Sequence, residues 1–221
     1  MSTATAKAYK GMGMEGRVAR WYADNTRKSL HDFRALAQRV ASDLAAGSRV
    51  LEVAPGPGFF AIELARIGNY GVTGLDISET FVEIASRNAR EAGVEVAFEH
   101  GDAAAMPFAD ESFDFLLCRA AFKNFSRPVT ALQEFRRVLK PGGTGILIDL
   151  RKDASREEIR RMVDGMGMSF FSRVMTRLTF RFMLLKRAYT EAQFREFFAQ
   201  SNFRSVDFQK TGTGFEIHFE R

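Results

Sequence analysis

The chain has few of the residues that build disulfide frameworks, metal clusters or membrane spans. It contains one cysteine, Cys118, three histidines and five prolines. No apolar run reaches the roughly 18 residues that a membrane-spanning helix needs. A single cysteine excludes an internal disulfide and argues against a metal cluster. Since the first ten residues also lack the apolar stretch of a secretory signal, we expect a cytoplasmic protein without a bound metal.

Positive charge is concentrated in one segment of the sequence. The whole chain carries a net charge of +5. Residues 151–189 contain ten basic and four acidic residues, a local net charge of +6, so the remainder of the chain carries −1. The high isoelectric point thus belongs to one local segment, and the chain as a whole is not a broadly basic nucleic-acid binder. The charge pattern therefore argues against DNA as a partner and disfavours RNA.

Apolar runs and helical patterns alternate through the middle of the chain. The runs predict strands at 49–53, 72–75, 94–98, 113–118 and 145–150. The patterns between them predict helices at 59–67, 79–92 and 128–139, the second capped by Ser78 and ended by Gly93. Strands that alternate with helices of this length form a parallel sheet with helices on both faces.

Helices and a hairpin extend this core at both ends. Two N-terminal helices are predicted, the second capped at Ser29 and ended by Gly47. After residue 150 a polar stretch leads to a basic helix at about 170–187. Thr190 then caps a helix that ends at Gln200, and strands at 203–209 and 215–219 form a hairpin. We predict an α/β fold, with a doubly wound, mostly parallel seven-stranded sheet that ends in an antiparallel hairpin and carries a helical cap insertion.

A Gly/Pro loop after the first strand is the main indication of a ligand site. Gly56, Gly58 and Ala61 match the G-x-G-x-x-G/A pattern of dinucleotide-binding proteins, and Asp76 follows where a ribose-binding acid is expected. The pattern alone does not identify the ligand. The carboxylate of Glu52, near the loop, would repel the pyrophosphate of a dinucleotide and attract the sulfonium and ammonium of S-adenosyl-L-methionine. Glu52 therefore favours the methyl donor.

Further motifs follow the loop in a fixed order. They occupy residues 74–78, 101–108, 112–115 and 136–143. With the loop, they resemble the class I S-adenosylmethionine-dependent methyltransferase family (type 11-like) over about residues 50–150. One departure is Ala54, where the family has a glycine, and we expect its methyl group to weaken binding modestly. The resemblance implies a methyltransferase with S-adenosyl-L-methionine as its cofactor.

The resemblance also implies which residues hold the cofactor. Asp76 would bind the ribose hydroxyls, and Ile77 would lie against the adenine. Asp102 would accept a hydrogen bond from the adenine amino group, and the Ala103 N–H would donate one to a ring nitrogen. The alternative for Asp76 alone is a structural role at the helix start beside Ser78. The predicted cofactor site is completed by Glu52, Ala54, Gly56, Gly58, Cys118 and Arg119, the last two near the methionine part and the methyl group.

The residues after the fourth predicted strand indicate the acceptor. Methyltransferases that act on base amines carry an Asn/Asp-Pro-Pro-aromatic turn here, whereas this chain has Arg-Ala-Ala-Phe at 119–122, which disfavours a DNA base. Residues 121–125 resemble a segment of the C-methyltransferases of ubiquinone and menaquinone synthesis, in which an arginine and an asparagine are proposed to assist ring deprotonation. Asn124 matches that asparagine, and Lys123 replaces the arginine with a point charge. Both are catalytic candidates, and the alternative is a solvated lysine with a turn asparagine.

The basic helix at 170–187 is amphipathic. One face carries Phe171, Val174, Met175, Leu178, Phe182 and Leu185, another carries Arg173, Arg177 and Arg181, and Met162, Met166 and Met168 precede the helix. Met-rich apolar surface adapts to irregular ligands. Three interpretations remain open. The helix is a lid packed on the core with a solvated arginine stripe, or it makes a peripheral contact with an anionic membrane, or its arginines bind an anionic substrate or RNA.

We predict one domain, 1–221, that methylates a small apolar or aromatic acceptor, with quinone-like C-methylation favoured. Its parts are an N-terminal helical lid (1–46), the cofactor-binding core (47–150), the helical cap insertion (151–189) and the last helix with the C-terminal hairpin (190–221). Tyr9, Trp21 and Tyr22 in the lid are candidates for contacting cofactor or acceptor. The alternatives are an O- or N-methyltransferase of a soluble metabolite or natural product, and a non-catalytic S-adenosylmethionine-binding protein. A dinucleotide-dependent oxidoreductase is disfavoured by Glu52. The sequence does not indicate the oligomeric state.

Overall fold

The computed structural model describes residues 9–10, 13–165 and 170–221, and within them seven strands form one sheet. The strands are β1 (Arg49–Val53), β2 (Gly71–Asp76), β3 (Ala97–His100), β4 (Phe113–Arg119), β5 (Leu139–Leu150), β6 (Ser205–Thr211) and β7 (Gly214–Glu220). Their order is β3-β2-β1-β4-β5-β7-β6. The first five are parallel, and β7 runs antiparallel to both β5 and β6. The predicted fold class is confirmed.

Helices cover both faces of this sheet. They are α1 (Gly16–Thr26), α2 (Leu30–Asp43), α3 (Phe59–Ile67), α4 (Glu79–Ala92), α5 (Pro128–Val138), α6 (Arg156–Gly165), α7 (Phe170–Thr179), α8 (Leu185–Arg187) and α9 (Glu191–Ala199). Short 3₁₀ turns occupy Arg27–Ser29 and Phe122–Asn124, and a π-helical turn, Phe180–Leu184, joins α7 to α8.

Strand residues alternate between two hydrophobic clusters, one on each face of the sheet. Leu116 and Cys118 of β4 lie in the cluster formed with α5 and α9. Leu117, between them, lies in the cluster formed with α2 and α3. Because successive strand residues point to opposite faces, the cluster that a residue joins decides which loops its side chain can reach.

Local end signals determine several boundaries. The Ser78 hydroxyl accepts a hydrogen bond from Phe81 N and caps α4, and Gly93, with φ +68°, ends it, both as predicted. After Gly93 the backbone is still hydrogen-bonded to α4, since Val94 N donates to Ala89 O. The strand predicted at 94–98 therefore begins only at Ala97.

Two predictions about helices were wrong. Ser29 makes no side-chain cap, because α1 continues through the 3₁₀ turn directly into α2. The polar stretch after residue 150 contains a helix, α6, that was not predicted. Its start is a reciprocal cap in which Ser155 N donates to Glu158 and Glu158 N donates to the Ser155 hydroxyl. Only Ile159 and Val163 of this helix are buried, so its apolar pattern is weak.

Candidate active site

The predicted cofactor-binding residues meet at one edge of the sheet, where the parallel strands β1, β2 and β4 end. The helices that follow β1 and β2 pack on the face of α2, whereas the helix that follows β4 packs with α9 on the other face. The chain therefore leaves neighbouring strands β1 and β4 in opposite directions and opens a crevice between them. In open α/β sheets, ligands bind at such a switch point.

The loop between β1 and α3 is shaped by residues in the left-handed region. Gly56 (φ +55°) and Gly58 (φ +78°) both adopt it. A Cβ on Gly58 would lie 2.7 Å from the Phe98 ring and 2.9 Å from Ala85 Cβ, so only glycine fits there. Ala54, where the resemblance leads us to expect glycine, also has a positive φ of +57°. The cost of the alanine is thus backbone strain of about 1 kcal/mol in addition to the bulk of its methyl group.

Glu52 lies beneath this loop and is almost completely buried. Its carboxyl group accepts a hydrogen bond of 3.1 Å from Ala61 N in the first turn of α3. Burial raises its pKa from 4.5 to about 8, although Ala61 N and the Arg119 charge lower it. The sequence alone predicts a fixed negative charge at Glu52, whereas burial in the fold favours its neutral form in the free protein. The group is protonated at neutral pH in the free protein and becomes anionic when a cation offsets its desolvation.

Asp76 ends β2 and is buried against the loop. Its carboxylate accepts hydrogen bonds from Gly56 N (3.0 Å) and from Ser78 N (2.9 Å). Burial raises its pKa to about 6, so it is ionised at neutral pH. Each oxygen keeps a free lone pair for a hydroxyl donor. Asp76 thus combines the predicted ligand role with the alternative structural one, because it also fixes the loop and the start of α4.

The predicted adenine-binding residues lie beyond β3. Asp102 accepts a hydrogen bond from Ala104 N at 2.8 Å, and its other oxygen lies 2.7 Å from the Arg127 guanidinium. Ala103 lies in the same turn, which Ala105 N closes by donating to Asp102 O. The sequence analysis did not identify Arg127, which holds the carboxylate in place. Ile77 is half-buried beside Asp76.

The last two residues of β4 point to opposite faces of the sheet. The Cys118 thiol is fully buried in the cluster with α5 and α9, and burial raises its pKa well above the usual value. Its side chain is therefore enclosed by that cluster. Arg119 points to the other face, with its guanidinium 4.4 Å from the centroid of the Phe33 ring.

Lys123 is buried in an ion pair rather than exposed. Its Nζ lies 3.0 Å from Asp149 Oδ1 and also donates to Ala120 O, and its backbone N donates to Asp149 Oδ2 at 2.8 Å. The side chain of Asp149, on β5, is fully inaccessible. This geometry contradicts the interpretation of Lys123 as a solvated lysine, since the ammonium is buried and paired with Asp149.

Asn124 carries the unsatisfied polar atom of this region. Its Oδ1 is buried and has no hydrogen-bond partner among the described residues. Two lid residues pack around its backbone, because Lys10 N donates to Asn124 O at 2.7 Å and Tyr9 pairs with Phe125. Burial raises the pKa of the Tyr9 phenol. A buried acceptor without a donor is costly, so this oxygen marks a place where a ligand donor fits.

The three aromatic lid candidates occupy different positions. Tyr22 borders the glycine loop, as its ring would lie 3.9 Å from a Cβ on Gly56. Tyr9 lies beside the turn at Asn124. Trp21 is exposed, and its backbone carbonyl accepts a hydrogen bond from Asn25 within the same helix. The structure thus brings Tyr9 and Tyr22 to the crevice and leaves Trp21 outside it.

The cap helix α7 is oriented differently from the first interpretation of its pattern. Arg173 and Arg177 face α6, where both pair with Asp164, and Val174, Met175 and Leu178 are exposed. The predicted lid with a packed apolar face and a solvated arginine stripe was therefore wrong about which face is inward. Met166 and Met168, and the side chains of Phe171, Arg181 and Phe182, lie outside the described residues.

A separate cavity of about 390 Å³ lies between α2 and the β5–β7 region. Arg39 and His218 line it, and Arg39 makes a two-pronged ion pair with Glu216 there. None of the predicted site residues borders it. Within the described residues, no group of side chains is arranged to hold a metal ion and no helix is long and apolar enough to cross a bilayer.

The crevice fits S-adenosylmethionine by its own geometry. The two left-handed glycines shape the loop between β1 and α3, the Glu52 carboxyl group lies beneath this loop, and the Asp76 carboxylate borders it. Residues 51–147 match the family described as Methyltransferase domain. The match covers the glycine loop, Asp76 and the turn at Asp102, so this part of the chain is similar to methyltransferase domains.

Similar proteins are known for this part of the chain and for the whole fold. A demethylmenaquinone methyltransferase of Deinococcus radiodurans is 39% identical over 108 residues, 48% of this chain and 45% of that protein. A ubiquinone/menaquinone biosynthesis C-methyltransferase of Bdellovibrio bacteriovorus is 36% identical over 105 residues, 47% of this chain and 45% of that protein. The chain thus spans about half the length of the curated relatives it matches. A crystal structure of a putative S-adenosyl-L-methionine-dependent methyltransferase from Methanococcus maripaludis superposes with a TM-score of 0.79 at 17% identity, covering 98% of this chain and 97% of that one.

Proposed function

We propose that this chain transfers a methyl group from S-adenosylmethionine to a ring carbon of a small, apolar, quinol-like acceptor. The observation that carries the proposal is the buried, unpaired Oδ1 of Asn124, at the turn after β4. A hydroxyl on an aromatic ring is a donor of the right kind for this oxygen. The names of the two curated relatives, a demethylmenaquinone methyltransferase and a quinone-pathway C-methyltransferase, support the same class of acceptor.

The cofactor would be held by residues from three loops. Asp76 would accept hydrogen bonds from the ribose hydroxyls, and Ile77 would cover one face of the adenine. Asp102, held by Arg127, would accept from the adenine amino group, and Ala103 N would donate to the ring. When bound, S-adenosylmethionine supplies a methyl group on a positively charged sulfur.

Glu52 would contribute charge selectivity. Buried beneath the loop, it ionises readily only when a positive charge lies close, because burial is the main cause of its raised pKa. A cationic ligand gains an attractive partner, whereas the pyrophosphate of a dinucleotide gains none and drives the group to stay protonated.

Asn124 would act on the acceptor. When its Oδ1 accepts a hydrogen bond from a ring hydroxyl, electron density moves into the ring and its carbon becomes the better nucleophile. As that carbon bonds to the methyl group, the methyl–sulfur bond breaks and leaves a neutral thioether, and the proton of the ring carbon is released to water. The same hydrogen bond fixes the orientation of the ring, and positioning is the larger part of catalysis for a reaction with a good leaving group. Tyr9, beside the same turn, would close the crevice over the ring.

Lys123 would hold Asn124 in place rather than move a proton. An ammonium that is already paired with a carboxylate and a carbonyl has no lone pair with which to accept a proton. With Asp149 it fixes the short turn Phe122–Asn124, because the ion pair and the hydrogen bond from Lys123 N attach this turn to β5. We therefore propose Asn124 as the acceptor-binding residue and Lys123 as a positioning residue.

The test is the substitution Asn124→Leu, with Asn69→Leu as its control. Leucine has the same branched arrangement of side-chain heavy atoms and no acceptor, and Asn69 is exposed, so the control makes the same change away from the crevice. Loss of a hydrogen bond made to the reacting acceptor should lower turnover on a demethylmenaquinol analogue about 10–100-fold. The dissociation constant of S-adenosylmethionine, measured by calorimetry, should stay within about two-fold. Full turnover by Asn124→Leu would show that this oxygen does not bind the acceptor.

A further inference from the structure

The cap segment exposes an apolar strip that no described residue covers. Val174, Met175 and Leu178 of α7 and Met183 of the π turn are 37–51% exposed. The described residues include seven exposed large apolar side chains, and these four of them fall within ten consecutive positions. A π turn takes up one extra residue, which brings Met183 closer to the face of Leu178 than a regular α-helix would. Grouped apolar exposure of this kind marks a contact surface.

The same segment accounts for the net positive charge of the protein. Residues 151–189 have a net charge of +6. Lys152, Arg156, Arg160, Arg161 and Lys186 are exposed on it. In a two-fold dimer the same surface meets itself, so a second copy would bring +6 against +6. A partner with an anionic surface and an apolar interior matches both the net positive charge of the segment and its apolar strip.

We infer that the cap segment rests on an anionic lipid bilayer. Val174, Met175 and Leu178 enter the boundary between headgroups and acyl chains, and the exposed basic residues lie over the lipid headgroups. The ion pairs that Arg173 and Arg177 make with Asp164 turn the helix so that its apolar face points outward. The inference goes beyond the proposed function, because binding to lipid is a property separate from methyl transfer and is measured without a methyl acceptor.

Sedimentation with lipid vesicles tests the inference. The full chain is mixed with vesicles of phosphatidylcholine alone, or of phosphatidylcholine with phosphatidylglycerol, at low and at high salt. We expect binding to the anionic vesicles that weakens as salt screens the charges, and much weaker binding to neutral ones. Lys186→Gln should weaken binding to the anionic vesicles about five-fold.

The apolar strip is tested by Met175→Gln combined with Leu178→Gln. This double variant should weaken binding to anionic vesicles about ten-fold or more. Ile67→Gln is the matched control, because Ile67 on α3 is 43% exposed, as is Leu178. All variants change exposed residues, and thermal unfolding checks that each is folded.

Three results would overturn the inference. Wild-type protein that fails to bind anionic vesicles at low salt does not rest on a bilayer. Equal binding by the double variant and by Ile67→Gln would place the lipid contact elsewhere. A wild-type dimer that becomes monomeric in the double variant, with no vesicle binding, would make a second copy the occupant of the strip.

Discussion

Lys123 and Asp149 form a buried ion pair that joins the turn after β4 to the end of β5, with 3.0 Å between Nζ and Oδ1. Residues 26 positions apart are thereby locked beside the crevice, and the Asp149 carboxylate also accepts from Lys123 N. The Lys123 ammonium is thus paired with Asp149, whereas the buried Asn124 Oδ1 has no hydrogen-bond partner among the described residues. This contrast is the basis for proposing Lys123 as a positioning residue and Asn124 as the acceptor-binding residue.

The first prediction concerns this pair. Lys123→Met leaves the Asp149 carboxylate buried and unpaired, and Asp149→Asn leaves the Lys123 ammonium unpaired. Each should lower the free energy of unfolding by about 3–5 kcal/mol, because an uncompensated buried charge is costly. The double variant Lys123→Met/Asp149→Asn buries no charge and should recover most of that loss. Chemical denaturation of the four proteins gives the coupling energy directly.

Turnover of the same double variant separates a positioning role from a catalytic one. If Lys123 only holds the turn, the folded double variant should keep a substantial part of kcat, and its pH profile should be that of wild type. A double variant that is stable but has lost all turnover would assign chemistry to the lysine.

The second prediction is a pH dependence of cofactor affinity through Glu52. Its pKa in the free protein is raised to about 8, and a bound cation favours the ionised form. Binding below that pH therefore releases a proton, and the affinity for S-adenosylmethionine should rise from pH 6.5 to 8 and then level off. Glu52→Gln should bind more weakly and show a flat profile. Calorimetry in buffers of different ionisation enthalpy counts the released protons.

Stability should change with pH in the opposite direction. A carboxyl group whose pKa is higher in the folded than in the unfolded chain stabilises the fold fully below about 4.5, and this contribution is lost as the pH rises through about 8. Wild type should therefore lose stability between about pH 4.5 and 8 relative to Glu52→Gln, and the difference should level off above pH 8. Parallel stability curves for the two proteins would contradict the assigned ionisation.

The third prediction tests Asp76 as the ribose-binding residue. Asp76→Asn keeps an oxygen for one of its two backbone donors and removes the charge. It should weaken S-adenosylmethionine binding by about 1.5–3 kcal/mol, the range for hydrogen bonds to a charged group. Asp114→Asn is the control, because Asp114 lies at the start of β4 and pairs with Lys140, away from the crevice. Equal affinities in both variants would remove Asp76 from the ligand site.

The fourth prediction uses the strained alanines. Ala54→Gly should stabilise the fold by about 0.5–1 kcal/mol, since glycine adopts a positive φ without steric cost. It should also tighten cofactor binding, because Ala54 lies in the loop. Ala120→Gly is the matched control, with φ +58° against +57°. It should give a similar gain in stability and leave cofactor affinity unchanged. If Ala54→Gly weakened cofactor binding, alanine rather than glycine would be the better residue for the cofactor at that position.

The fold was largely predictable from local sequence signals. The bounds of β1, α3 and α4 agree with the prediction at both ends, because an apolar run or a capped amphipathic pattern marks each of them. The missed helix α6 had a readable signal as well, the Ser-x-x-Glu box at Ser155 and Glu158. The late start of β3 depends on how the chain leaves α4, which a hydrophobic pattern does not record.

The residues of the candidate site were easier to predict from the sequence than the contacts that they make. The sequence indicated the loop, Asp76 and Asn124, but the partners of Lys123 and Asp102 come from distant elements, Asp149 on β5 and Arg127 before α5. The burial that raises the pKa of the Glu52 carboxyl group on β1 likewise depends on the packed fold. The outward face of α7 depends on Asp164 of another helix, so helical periodicity identified two faces but not which one is inward.

The most direct test of the account is methyl transfer from S-adenosylmethionine labelled in its methyl group. The purified chain is incubated with a short-chain demethylmenaquinol, with catechol-like and amine acceptors, and without acceptor, and the labelled product is identified by mass spectrometry. We expect label on a ring carbon of the quinol. Asp76→Asn should lower the rate of labelling by weakening cofactor binding, and Asn124→Leu should lower it by reducing turnover. Label on an oxygen or nitrogen acceptor, with none on the quinol, would contradict the proposed acceptor. Tight cofactor binding with no transfer to any acceptor would contradict the proposed activity.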